Sequence, residues 1–129
     1  MTRQWFVGAE TKRLDLFPGE TDGGWIEVKA RLSWGEEQQL ASSAFRKMSG
    51  FTQRDFEVTP DMAEHAINRF LTWIVDWSLT DAKGKAAKLD RATVVNLHPT
   101  VAREIDRALT EHIESVEAES AEKNAVTPG

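Results

Sequence analysis

The stretch Trp25-Ile26-Glu27-Val28-Lys29-Ala30-Arg31-Leu32-Ser33-Trp34-Gly35-Glu36-Glu37 holds the change of period that decides the fold. Its first five residues alternate, so Ile26 and Val28 share one face of a strand while Trp25, Glu27 and Lys29 share the other. Its end is a helix start. Ser33 and Glu36 stand three apart as a capping box, in which the hydroxyl takes a backbone N–H of the first turn and the carboxylate reaches back to the cap. A strand followed within a few residues by a capped helix predicts an α+β domain.

Upstream, Leu14-Asp15-Leu16 repeats the alternation, and the run Pro18-Gly19-Glu20-Thr21-Asp22-Gly23-Gly24 between the two strands is rich in turn formers. A hairpin with a long loop follows, with Leu14, Leu16, Ile26 and Val28 on its core face. Trp5, Phe6 and Val7 suggest a third strand. Downstream, Leu40, Ala41, Ala44, Phe45 and Met48 fall at helical spacing, acids precede bases, and Gly50 ends the run, predicting a helix over 34–49. The segment 50–58 has no clear period and reads as a loop with a short extended piece over 56–58.

Thr59-Pro60 signals the next helix, because proline at the first helical position loses no useful N–H. Its apolar stripes, which include Phe70, Trp73, Ile74 and Trp77, predict a central core helix over 60–77. Asp81 and Gly84 fit the first and fourth places of a type I turn, within a structured loop or small hairpin over 78–89. Asp90 caps a short helix holding Val94, Val95 and Leu97. Pro99 opens a longer one with Val101, Ile105, Leu109, Ile113 and Val116 on one face. From Glu117 the stripe fades, which predicts a single domain over 1–117 and a flexible acidic tail over 118–129. The expected fold is a small N-terminal β-hairpin packed on a bundle of three to four helices.

A chain of 129 residues with 40% apolar content builds one core. The absence of cysteine excludes disulfides, thiolate metal sites and cysteine nucleophiles. The longest apolar stretch, 70–77, is broken by Thr72 and Asp76 and falls far short of the roughly 20 residues that span a bilayer. The N-terminus has no apolar run of the kind a secretory signal needs. An intracellular protein is the expectation. Of the 16 basic and 21 acidic residues, the surplus acids cluster beyond Thr110. The body is nearly neutral and without a basic stripe, which argues against nucleic-acid binding.

Chemical motifs do not form. In Asp81-Ala82-Lys83-Gly84-Lys85 a calcium loop would put Lys83 and Lys85 on the ion, and a phosphate loop lacks the glycine that Leu79 replaces and the hydroxyl that Ala86 replaces. His65, His98 and His112 lie far apart, and His65 and His112 are expected on the surface rather than on a metal. No serine sits in a Gly-x-Ser-x-Gly elbow. Glu36 and Glu37 point about 100° apart on a helix and read as charges favourable to its dipole. Neither an enzyme, a metal nor a cofactor is indicated.

Five tryptophans without a tyrosine are the compositional oddity. Trp73 and Trp77 lie on the apolar stripe and are expected in the core. Trp25 lies on the outward side of its strand and Trp34 opens its helix off the main stripe. These two are the candidate protein-interface residues, with packing of Trp25 onto Trp5 or Trp34 as the competing account.

The order of Trp25-Ile26-Glu27-Val28-Lys29, Leu32-Ser33-Trp34-Gly35-Glu36-Glu37, Ile74-Val75-Asp76-Trp77-Ser78-Leu79-Thr80-Asp81 with Gly84-Lys85, and Leu97-His98-Pro99 before a helix resembles small tail-module proteins of long-tailed bacteriophages, often regarded as tail assembly chaperones. The resemblance covers about 25–112 and rests on pattern. It implies a mostly helical, non-enzymatic protein of the bacterial host cytoplasm that holds the tape-measure protein and recruits tail-tube subunits. It would then leave before the tail is complete. Self-association is compatible with that role. The alternatives are a permanent virion component, such as a head-tail connector or tail-completion protein, and a small regulatory protein that binds a host enzyme.

Overall fold

The computed structural model describes residues 4–45 and 62–125. The predicted hairpin forms: β1 (Thr11–Asp15) pairs antiparallel with β2 (Trp25–Lys29), with Leu14 opposite Ile26 and Thr11 opposite Lys29. As the alternation requires, Ile26 and Val28 are fully buried and Leu16 nearly so. The connecting loop closes through Leu16 N–H to the Gly24 carbonyl at 2.8 Å. Gly23 and Gly24 are needed here for space. A Cβ on Gly23 would stand 2.5 Å from the Leu16 carbonyl oxygen, and one on Gly24 would stand 2.5 Å from Ser78 Oγ.

The sheet has a third strand, but it is not 5–7. Trp5 and Phe6 are exposed and outside any strand, and the third position is taken by β3 (Ile74–Trp77) on the far side of β2. The central helix is therefore shorter than predicted. It is α2 (Met62–Trp73), and the chain passes straight from Trp73 into β3. The start predicted at Pro60 lies outside the described residues. A β-bulge explains why a strand carries a helical pattern. Ile26 pairs with Trp77 and Val28 with Ile74, so Val75 is an extra residue and the register shifts between Glu27 and Val28. The bulge returns Ile74 and Trp77, three apart, to the same buried face and leaves Val75 exposed. Ile, Val and Trp favour the pleated surface, and an unpaired edge on β2 supplies backbone partners that a longer helix would not use.

The capping box forms as read. Ser33 N–H donates to Glu36 Oε1 at 3.0 Å and Glu36 N–H to Ser33 Oγ at 3.2 Å, opening α1 (Trp34–Phe45). The predicted end at Ser49 and the 50–58 loop lie outside the described residues. Glu36 also pairs with Lys29, and chiefly that contact holds its carboxyl below the ordinary range. The small hairpin over 78–89 is present, bridged between Thr80 and Ala86, with Asp81 Oδ1 accepting from the Lys83 and Lys85 amides and Gly84 at positive φ. Trp77 Nε1–H donates to the Ala87 carbonyl at 2.9 Å and ties this hairpin to the core. Asp90 caps α3 (Arg91–Val95) by accepting from Thr93 N–H.

Pro99 opens α4 (Pro99–Ala125), with His98 Nδ1 accepting from Thr100 N–H at 3.1 Å in the manner of a cap. The backbone is helical through Ala125, past the residue where the apolar stripe fades. Removing 118–129 is expected to shift the melting midpoint by less than about 3 °C, because residues 117–119 are exposed and 120 is half-buried. A calorimetric scan checks this, and a larger drop would place the last turns in the packed body.

One layer is the sheet and the other is the helices, and the core fills between them: Ile26, Val28, Ile74 and Trp77 meet Trp73, Ile105, Ala108 and Leu109. Polar ties help to fix α4. Arg69 of α2 reaches Asp106 at 3.3 Å and the Thr110 hydroxyl at 2.6 Å. Glu104 accepts from Phe17 N–H at 2.6 Å and from Arg107 at 2.8 Å. Phe17 has φ of 49°, a left-handed conformation that non-glycine residues rarely adopt, and the Glu104 contact helps to hold it there.

Glu104 carries a pH dependence. Arg107 first, then the Phe17 N–H, hold its carboxyl below the ordinary value of 4.5 in spite of partial burial. A carboxylate whose folded value lies below its unfolded one stabilises the fold above about pH 4.5, and the gain is lost as pH falls through the folded value. Glu104→Gln is expected to lower stability at pH 7 by less than about 1 kcal/mol, since Arg107 is exposed and screened. It should also flatten the decline below pH 4.5. Denaturant midpoints across pH 3–7 test both, and an unchanged acid limb would remove Glu104 from the account.

Candidate interaction groove

Sequence distance hides one concave feature of the fold. Leu32 leads from the sheet into α1, Trp73 ends α2, and Ile113 and Val116 lie on α4, yet all four line one groove of about 730 Å³. The α1 wall adds Leu40 and Ala41, which with Glu37 stand at i, i+3 and i+4 on one helix face. Charged residues border this apolar floor: Arg31 and Glu37 on one side, Arg69 and Glu117 on the other. Ile113 to Ser120 spans about 10 Å of α4, or two helical turns, at 1.5 Å per residue.

His65 lies in this groove and His112 packs against its Trp73, and both were expected on the surface. His65 lines the groove half-buried, and its Nδ1 has no hydrogen-bond partner among the described residues. His112 is not the surface histidine predicted from its place beyond Ala108. It is 7% exposed, its Nε2 lies 2.9 Å from the Lys29 carbonyl oxygen, and its ring meets Trp73 edge-on at 5.5 Å. A carbonyl only accepts, so Nε2 carries the proton.

The two candidate tryptophans are not brought together. Trp25 opens β2 opposite Asp15, on the outer face of the sheet, and the Arg13 guanidinium lies 3.8 Å from its ring centre. It is half-buried, with the Arg13 guanidinium stacked over its ring. Trp34 is 77% exposed. It shares a helical stripe with the groove-lining Glu37 and Ala41 but does not itself line the groove. Trp73 and Trp77 are core, as predicted. Trp25→Ala is expected to cost less than about 1.5 kcal/mol, because the side chain is only partly buried and lies on the outer face of the sheet. A denaturant melt showing 3 kcal/mol or more would make Trp25 a core residue.

One sequence signal did point to the groove. The apolar stripe of α4 continues through Ile113 and Val116, beyond the fully buried Ile105 and Leu109. A stripe longer than the body it covers leaves apolar surface for something else. Among the described residues, no group of three His, Asp or Glu could hold a metal ion, and no helix is long and apolar enough to cross a membrane. Comparison with models of known protein families, with curated proteins and with solved structures finds no match to this chain.

Proposed function

We propose that this chain is a non-enzymatic binding protein whose groove between α1, α2 and α4 takes an amphipathic helix of a longer protein. The observation that carries the reading is the groove itself: an apolar floor two helical turns long, with charges of both signs on its borders. That is the shape and chemistry of helix-in-groove recognition, where anchors at i, i+3, i+4 and i+7 fill the floor and polar flanks meet the rim. Trp34, exposed one turn before the groove-lining Glu37, is the residue type that carries most binding energy at such surfaces.

The resemblance of the quoted segments to phage tail-module proteins supplies a biological setting. A tape-measure protein is long, helical and apolar in stretches, which fits the groove, so tail assembly chaperone is the reading we adopt, with tail-tube subunits as further partners. The test uses labelled helical segments tiling the candidate tape-measure protein, titrated into the full chain. Val116→Glu is expected to weaken binding at least about tenfold by placing an unpaired charge on the floor, with an unchanged thermal midpoint. Failure of every segment to bind would overturn the reading. Fixed stoichiometry of the chain in washed particles would make it a permanent virion component instead.

A further inference from the structure

The surfaces at the two ends of α4 carry opposite charge. Near its start, the 78–89 hairpin, α3 and α4 border a pocket of about 810 Å³, lined by Leu79, Ala87, Leu97 and Val101 with Lys85 and Lys88 beside them. With Lys83 at the hairpin tip, three exposed lysines stand within six residues, and none makes an ion pair among the described residues. The nearby carboxylates are committed to the backbone. Asp81 accepts from the Lys83 and Lys85 amides and Asp90 from the Thr93 amide, while Lys88 acts on Asp90 through space rather than in a paired contact. Toward its far end, α4 shows the complement. Glu111, Glu114 and Ala118 recur at i, i+3 and i+7, on the side of the helix away from Ile113, Val116 and Ser120, which line the groove. Glu122 takes the next place of the same stripe in the sequence. Glu111 is taken up by Arg107 at 3.0 Å, but Glu114 is exposed and in no ion pair among the described residues, and Ala118 is exposed beside it. A small residue between two acids lets the helix backbone come close to an apolar surface while the carboxylates reach its rim.

We propose that the acidic stripe of one copy, centred on Ala118 between Glu114 and Glu122, docks on the lysine-rimmed pocket of a second copy, head to tail. The helix itself keeps the stripe from its own pocket: at 1.5 Å per residue, positions 114–122 lie about 20–30 Å along the axis from Val101, which lines that pocket. Charge chooses among the contacts two copies can make. Pocket on pocket and stripe on stripe set like charges together, so only the unlike pair is attractive. A contact between two different surfaces leaves a free pocket at one end and a free stripe at the other, so copies add in rows or close into a ring. The groove lies on the other side of α4, and this inference therefore stands apart from the proposed function.

The test is complementation, read by sedimentation equilibrium of the full chain. At low salt the wild-type mass is expected to rise with concentration beyond twice 14.5 kDa. It should return toward the single-chain mass at about 1 M salt, where the screening length falls to about 3 Å. Lys85→Glu/Lys88→Glu disables the pocket and Glu114→Gln/Glu122→Gln the stripe, and each variant alone should be folded and monomeric. Mixed, the two should form a pair that grows no further, because one working contact remains between them. Adding Glu114→Lys/Glu122→Lys to the pocket variant reverses both surfaces and should restore assembly, which a variant that merely misfolds does not do. A wild-type chain that stays monomeric over the concentration series would overturn the proposal, and so would a mixture of folded variants that never pairs. Growth that stops at two wild-type copies would show a twofold contact instead. A monomeric wild type that loses thermal stability on Lys85→Glu/Lys88→Glu would show that the pocket is covered from within its own chain, which excludes the second copy.

Discussion

Trp77→Ala is expected to lower stability by about 3–5 kcal/mol, the range for truncating a large buried aromatic. Its side chain is 5% exposed, sits on the core face of β3 opposite Ile26, and donates its indole N–H to the Ala87 carbonyl. Truncation removes the packing and leaves the carbonyl of a half-buried loop residue without its donor, so the two losses add. For a chain of this size that displaces the melting midpoint by more than about 10 °C. The informative control is Val75→Ala. As the bulge residue Val75 is 42% exposed, and its truncation is expected within about 0.5 kcal/mol of wild type. Amide exchange adds a second readout: Trp77→Ala should speed exchange at Ala87 and Asp81, whose N–H groups are bonded within the 78–89 hairpin. A loss below 1.5 kcal/mol would show that Trp77 is not held as β3 places it.

That experiment also marks where sequence reading stopped. The capping box, the Asp81 turn, the Asp90 cap and the Pro99 start were legible because each depends on residues within four or five positions of one another, and the hairpin because each strand carries its own alternation with turn formers between. The end of α2 was not. Phe70, Trp73, Ile74 and Trp77 satisfy a helical stripe, and the bulge at Val75 gives a strand the same three-residue spacing of buried positions. The deciding fact is long-range, namely that β2 had a free edge, and local periodicity does not contain it. The exposed 5–7 segment erred in the opposite direction: three strand-forming residues stay outside the sheet, although β1 is an edge strand with no strand on its outer side among the described residues. Of the candidate site, Trp34 was singled out as a tryptophan off the main stripe, and it is exposed. Trp25 was singled out without its cover, since Arg13 meets it only across the paired strands.

His112 is the residue whose burial has the widest consequence. His112→Phe is expected to cost about 1–3 kcal/mol: the ring against Trp73 is kept, but the Lys29 carbonyl loses the N–H that satisfies it. His112→Ala removes the packing as well and should cost about 2–4 kcal/mol. The order alanine, phenylalanine, wild type in a denaturant series separates the hydrogen bond from the ring contact. There is an opposing effect, because His112 Nδ1 is buried with no partner among the described residues, and phenylalanine relieves that cost. A phenylalanine variant as stable as wild type would mean that relief equals the lost bond and that His112 is held for packing alone. The same bond also acts on the groove. Lys29 ends β2, pairs with Glu36 at the start of α1, and is followed by Ala30, whose N–H donates to the Glu10 carbonyl. His112 therefore ties α4, one wall of the groove, to the strand end from which the opposite wall departs. Loosening that tie should weaken helix binding by more than the lost stability alone would, in a variant that still folds at the assay temperature. Unchanged affinity in a folded His112→Phe protein would show instead that the walls are held apart by Arg69 and its bonds to Asp106 and Thr110.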